Sequence, residues 1–393
     1  RESSRSTPIG NQLDPPAEPS SLAPNLAVIG GSVAATWLEP INLDGLPGHR
    51  LRFSRLSGDR WSSPVTIAEG GNFFANWADL PAVVEMGNGD LLAHWLAKTA
   101  EETYAYSIFL ARSDDGVHWQ RVQGEEALGS VFAPSSAPDD FDSLHIGLTD
   151  ITRDAGCWLM WYFGGNSQLR HCESTSIGTV AGLGLRCGLA RSTDGISWQR
   201  IRGSESNGAL FDYADKKLYA GWPNAFWDGR RYVLQYTAPE MDITHYSTFV
   251  VTSSDAVNWT PAGELEWAGA PREYESEGIV TRQVLANPLP GGRRFLMIYT
   301  ALDRNHQRSI AAAESDDGMK WHQLYDEPIF HIGNTGAWDD LGVAANRLVV
   351  SGGRLCFYYY GFQTLADDEG MRGIGLATCP VGDLRRLERF SAA

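Results

Sequence analysis

Carboxylates recur in this sequence at one kind of place, just ahead of an apolar, aromatic-rich run. Asp79 follows Asn76 and Trp77 in NWADLP. Asp142 and His145 sit in FDSLHIG, with Asp150 five residues beyond His145. Glu275 and Glu277 flank Ser276 in YESEGIV, and Arg282 follows; Trp338, Asp339 and Asp340 occur together in GAWDDLG. Carboxyl groups brought together from such positions do acid–base chemistry. One is held protonated as a general acid and another ionised as base or nucleophile, which is what cleavage of a glycosidic bond requires. Trp77, Trp222 and Trp338 offer faces on which a sugar ring stacks, and Arg282 offers a planar fork for a carboxylate or hydroxyls. The same groups have a structural use, hydrogen bonding one another and loop backbone around a channel.

The elements that must position these residues repeat. SDDGVHW (113–119), STDGISW (192–198), SSDAVNW (253–259) and SDDGMKW (315–321) share one turn pattern, with a shortened form at SGDRW (57–61) and a degenerate one at CPVGDLRRL (379–387). Ser and Asp bond the backbone of a tight turn, Gly supplies a positive φ, and Trp packs inward. Successive Trp positions are 58, 79, 61 and 62 residues apart. Before each turn lie two apolar strands, the earlier one aromatic-rich, as in DLLAHWLAK, CWLMWYFGG and LCFYYYGFQ. Units of this kind with about four strands each are propeller blades. Residues 25–390 divide into six units of about 61 residues, so the expected fold is all-β, a six-bladed β-propeller. The alternative is five blades with the 25–70 unit as an extra N-terminal β unit outside the ring. The longest interval marks an insertion expected at 164–187, and residues 1–24, rich in Ser, Pro and charge, are expected to be a flexible leader. A propeller leaves one axial cavity lined by the first strand of each blade. The candidate residues should meet at the starts of those strands.

Composition removes several classes. The formal net charge is −16, without the basic footprint of a nucleic-acid binder, and no apolar run is long enough for a membrane span. The five cysteines form no CxxC pair and sit at no metal-ligand spacing with His; Cys172 and Cys187 are expected either as a loop staple or as free thiols. GTVAGLGLRCG lacks the strand and helix of a dinucleotide site, and no Gly-x-Ser-x-Gly elbow occurs. His94, in AHWL, is expected to be a satisfied core histidine, His171 a loop residue, and His331 within reach of the cavity. No cofactor is called for. Converging carboxylates suit a hard cation, so an axial calcium is compatible with them, although nothing in the spacing demands it. The chain begins without Met and shows no apolar signal core. One expectation is a secreted or organellar-lumen protein that has lost a targeting segment.

FDSLHIGLTDI…WLMWYFGG, WPNAFWDGRRYVLQYT, SEGIVTRQVL…FLMIYTA and WDDLGVAANRLV…LCFYYYG resemble the blades of the glycoside-hydrolase propellers of the arabinanase, invertase and levansucrase-like clan. VAATWLEP, RLRFSRLSGDRWSSPVTI and NWADLPAVVEMGNGDLLAHWL resemble a bacterial sialidase-type repeat. The first resemblance implies three inner-strand acids: a base Asp, a second Asp that tunes pKa and orientation, and an acid Glu. By position these are Asp79 or Asp142, Asp150, and Glu277. Glu277 is then the general acid with a raised pKa, with Asp79 and Asp142 as alternatives for the base. Asp150 and His145 orient or tune, and Arg282 with Trp77 positions the sugar. Trp222, Asn224, Glu275, Trp338 and Asp340 complete the binding set. The chain departs from the pattern where Trp222-Pro223-Asn224 stands in place of Asp-Pro. Sialidase activity is not expected, since Arg282 is the one suitably placed arginine and the turn motif is a residue shorter than the sialidase Asp box. The expected partner is a small-molecule or oligosaccharide substrate. The alternatives are a non-catalytic propeller binding a glycan or protein, and a propeller enzyme of other chemistry, such as an isomerase or cyclase.

Overall fold

The computed structural model describes residues 16–74, 80–99, 106–124, 126–154, 156–174, 177–212, 217–351, 353–363 and 372–389. Six sheets of four or five strands follow one another along the chain, antiparallel except where Glu266–Trp267 adds in parallel to Lys320–Gln323 of the fifth. Their first strands are Leu22–Ile29, Ala82–Glu85, His145–Asp154, Gly221–Trp227, Ile279–Ala286 and Gly342–Ser351, here the inner strands of blades 1 to 6. The second strands are Ser32–Leu43, Leu91–Lys98, Cys157–Gly165, Tyr232–Pro239, Phe295–Leu302 and Arg354–Phe362. These carry the long apolar runs because they are buried on both faces, each sandwiched between the neighbouring blades. Among the described residues no helix is long and apolar enough to cross a membrane.

Six apolar cores lie between the blades, one at each junction. Phe53, Trp95 and Phe109 join blades 1 and 2, Ile146, Met160 and Leu110 join 2 and 3, and Trp161, Leu234 and Val251 join 3 and 4. Phe226 packs with Met297 and Tyr299 between 4 and 5, and Ile310 with Phe357 between 5 and 6. The sixth core closes the ring: Leu26, Val33 and Trp37 of blade 1 meet Val349, Tyr358 and Leu376 of blade 6. The unit at 25–70 is therefore a blade of the ring and not an extra unit outside it. Among the described residues no strand is exchanged between blade 6 and blade 1, and the contact between these two blades is apolar packing.

The repeated turn is built from its own side chains. In the blade 5 copy, Gly318 N–H donates to Ser315 Oγ (2.9 Å), Met319 and Lys320 N–H donate to Asp317 Oδ1 (2.9 and 3.0 Å), and Trp321 Nε1–H donates to the Gly318 carbonyl (3.1 Å). The position before this bend has a positive φ in every full copy, with Gly116 at 76°, Gly195 at 77° and Gly318 at 74°, but Ala256 at 62° in blade 4. Ala256→Gly relieves left-handed strain of about 1–2 kcal/mol against an unfolded-state entropy term of about 0.4–1 kcal/mol. Urea denaturation is expected to show a gain of up to about 1 kcal/mol. Gly318→Ala should instead lose about 2 kcal/mol or more, since an added Cβ would stand 2.4 Å from the Phe226 ring in addition to the strained φ. A Gly318→Ala protein as stable as the parent would contradict this turn geometry.

Within 164–187, a hairpin of Leu169–His171 and Thr179–Ala181 projects between the second and third strands of blade 3. Its base packs Cys172 and Leu185 against Phe163, Leu218 and Tyr219. All five cysteines are free thiols, Cys172 and Cys187 included.

Candidate functional site at the propeller axis

Five inner strands are interrupted at the same point. The register shifts between Leu22 and Asn25, Leu148 and Asp150, Gly221 and Asn224, Ile279 and Arg282, and Ala345 and Arg347. A bulge of this kind re-aims the side chain that follows it. Asn25, Asp150, Asn224, Arg282 and Arg347 all line one axial cavity of about 160 Å³, completed by blade 2 at Ala82 to Val84 and His94. Trp222, inside the blade 4 bulge, also lines it. Its φ of 50° puts a bulky residue in the left-handed region, a strain of about 1–3 kcal/mol that its packing must hold. The ring sits between Phe163 and Tyr219, at centroid distances of 4.9 and 5.5 Å.

The electrostatics of the cavity are set mainly by burial. Burial pushes the Asp150 carboxyl above the usual aspartate range; Arg347 and a hydrogen bond from the Ile151 N–H (3.0 Å) pull the other way without cancelling it. The raised acid at the axis is thus Asp150, and the cause is desolvation. Burial pushes the His94 imidazole down to about 4, so it is neutral at pH 7. Arg282 is pushed down to about 9 by the same cause. Its Nη1 donates to Thr237 Oγ1 (2.9 Å), while Nε and Nη2 are buried without a partner. Asn224 accepts from the Val284 N–H (3.3 Å).

The acids seven or eight residues upstream do other work. Asp142, 1% exposed, accepts from Tyr162 Oη (3.0 Å) on its own second strand and from Arg200 Nε (2.8 Å) on its outer strand. Asp339, also 1% exposed, does the same with Tyr359 (2.9 Å) and Arg389 (2.8 Å). Both arginines also donate to a loop carbonyl, Ala133 for Arg200 and His331 for Arg389. Glu275 accepts from Tyr299 Oη, Gln323 Nε2 (2.8 Å) and the Arg272 N–H (2.9 Å). Each group is a latch that ties the start of an inner strand to the rest of its blade.

Of the residues singled out from sequence, the structure brings Asp150, Trp222, Asn224 and Arg282 together around the cavity. Asp142 and Glu275 are latch residues and do not line it. Glu277 lies off it as well, with its carboxylate 3.4 Å from His245 Nδ1. His145 contacts the Gly182 carbonyl through Nε2 (2.8 Å), anchoring the blade 3 insertion. Trp338 stacks on Tyr359 at 5.7 Å, and Asp340 accepts from the Gly336 N–H (2.7 Å). Asp79 and Trp77 lie outside the described residues. Sequence reasoning passed over Asn25 and Arg347 and read His94 as core. The signal was present: Asn25, Asp150, Asn224 and Arg347 each stand 11 residues before the second-strand partner they face, Thr36, Trp161, Gln235 and Tyr358. Each is the polar interruption of an apolar strand.

The donor set does not fit calcium. Among the described residues no cluster of three or more His, Cys, Asp or Glu is placed to hold a metal ion. Among the described residues one carboxylate lines the cavity, and it shares its space with two guanidinium groups.

No family model matches the chain, and no curated protein matches it. Solved structures do. A glycoside hydrolase is 18% identical with a TM-score of 0.51, over 77% of this chain and 88% of that one. An N-acetylgalactosamine deacetylase from F. plautii, solved in complex with blood group B trisaccharide, is 17% identical with a TM-score of 0.51, over 80% and 94%. Sucrose-6-phosphate hydrolase from Lactobacillus gasseri is 13% identical with a TM-score of 0.52, over 81% of this chain and 62% of that one. At such identities the likeness concerns architecture alone: the chain has the fold of the glycoside-hydrolase-type β-propellers.

Proposed function

We propose that the protein is a carbohydrate-active enzyme, a glycoside hydrolase whose reaction centre is the axial cavity and whose proton-holding carboxyl is Asp150. The observation that carries this reading is a half-buried carboxyl group, shifted by desolvation toward its neutral form, in a cavity to which all six blades contribute. A carboxyl so placed is suited to protonate a leaving oxygen. The names of the structural neighbours, two hydrolases and a deacetylase of sugars, agree with a carbohydrate substrate. Asn224 and Arg282 then position the sugar, and Trp222 gives it an apolar wall. The second carboxylate that hydrolysis needs is assigned to Asp79, which is joined in sequence to the cavity residue Leu80.

A panel of aryl glycosides and oligosaccharides, neutral and acidic, tests this. Asp150→Asn is expected to lower kcat by about 10²–10⁴-fold on whichever substrate the parent turns over. Asp79→Asn should be at least as severe, and Glu277→Gln mild. Loss of turnover in Glu277→Gln with Asp150→Asn intact would reverse the assignment.

A second reading rests on one count. Among the described residues a single carboxylate lines the cavity, and a non-catalytic glycan-binding propeller needs no second one. Saturable sugar binding by the parent with no turnover of any glycoside would favour it.

A further inference from the structure

We propose that the axial cavity recognises an oxyanion carried by its ligand, a carboxylate or phosphate on a sugar, and that Arg282 and Arg347 are the residues that bind it. This rests on the carbohydrate reading above and names the class of sugar. The chain as a whole carries a net charge of −16, yet the charged groups among the described residues lining the cavity are two arginines and one aspartate. His94 adds no charge at neutral pH. The cavity is therefore cationic in an acidic protein, and more so when Asp150 is protonated. Such local inversion of sign attracts anions against the background field.

The two arginines stand at equivalent bulges on adjacent blades, 5 and 6. Arg282 spends one nitrogen on Thr237 and leaves Nε and Nη2 without a partner. Those two nitrogens form one edge of the guanidinium, the geometry that meets a carboxylate or phosphate with two parallel hydrogen bonds; they are buried in this structure, so the ligand must draw this edge out to the cavity that Arg282 lines. A buried guanidinium edge left without hydrogen-bond partners is costly to the fold. The depressed Arg282 pKa reflects the same deprivation of water. Arg347 has Asp150 as its opposing charge, so an arriving anion meets one arginine already balanced and one that is not.

Calorimetric titration of the full chain with inorganic phosphate, D-glucuronate, D-galacturonate and glucose 6-phosphate, against glucose and galactose, tests the proposal. At least one anionic sugar is expected to bind about tenfold or more tightly than its neutral parent. Preference for the uronates marks a carboxylate site, and preference for glucose 6-phosphate and phosphate marks a phosphate site. Arg282→Met should weaken binding of the anionic sugar about tenfold or more beyond any loss it causes for the neutral parent, and so erase the anion preference. It should also raise the ligand-free melting temperature, because it removes an unpaired buried charge; a purely structural arginine would lower it. Should Arg282→Met fail to fold, Arg347→Gln decides by the same split between anionic and neutral sugars. Neutral sugars binding as tightly as their anionic counterparts, or no anion binding up to about 10 mM, overturns the proposal. Anion binding without turnover of any glycoside would sink the hydrolase reading and leave this one standing. Turnover of neutral glycosides indifferent to both arginines would do the reverse.

Discussion

Arg200→Ala is expected to lower the free energy of unfolding by about 3–5 kcal/mol, the usual cost of stranding one member of a buried ion pair. The Asp142 carboxylate is 1% exposed and would keep only the Tyr162 hydroxyl. Packing is lost as well, since the Arg200 guanidinium lies 4.2 Å from the Phe132 ring centroid and bonds the Ala133 carbonyl. The blade 6 latch makes the same forecast for Arg389→Ala: Asp339 is equally buried, and the guanidinium lies 4.0 Å over Phe330. A double-mutant cycle with Asp142→Asn and Arg200→Met, followed by guanidinium denaturation, separates the latch from simple packing. The pair should couple by at least about 1 kcal/mol, and the double variant should be less damaged than the sum of the singles. Additive losses would mean that Asp142 and Arg200 act independently and that the latch is not a unit.

The second large effect concerns pH. Burial raises the Asp150 pKa, so its acid form survives to higher pH than in a free aspartate. If Asp150 delivers the proton, turnover falls as pH rises through that pKa, and Asp150 sets the alkaline limb of the profile. The charged group that acts on it is Arg347; Arg282, also cationic, and a neutral His94 line the same cavity. Arg347 opposes the upward shift, so Arg347→Gln should move the limb to higher pH; a downward move would count against the assignment. Stability follows the same sign. A carboxyl whose folded pKa is raised stabilises the fold most below the unfolded value, and that contribution is lost as pH rises through the folded value. Asp150→Asn should therefore remove both the alkaline limb and this fall in stability, read by activity and by denaturation across the pH range.

The ring itself was legible in the chain. The spacing of Trp61, Trp119, Trp198, Trp259 and Trp321 and the aromatic second strands are local signals, because a turn built by Ser, Asp and Gly closes within seven residues. Six blades instead of five depended on where the 25–70 unit packs. That is decided by Trp37 and Leu26 meeting Tyr358 and Leu376, residues more than 300 positions apart.

The acids were legible as a class but not by role. Asp142, Glu275 and Asp150 all precede apolar second strands, and nothing local separates a latch from a cavity residue. Register does: a bulge one residue before Asp150 sends its side chain to the axis, while Asp142, outside the paired strand, meets Tyr162 and Arg200. Arg347 shows the converse. In sequence it is one cation in VAANRLV, and only closure of the ring brings it to Asp150 and into one cavity with Arg282. Sequence by itself determined the repeat, the turn chemistry and the polar interruptions of the inner strands, because these arise within a blade. Which interruptions share a cavity, and the cationic sign of that cavity, were decided only by the tertiary structure, since charge and desolvation at the axis are summed over six blades distant in the chain.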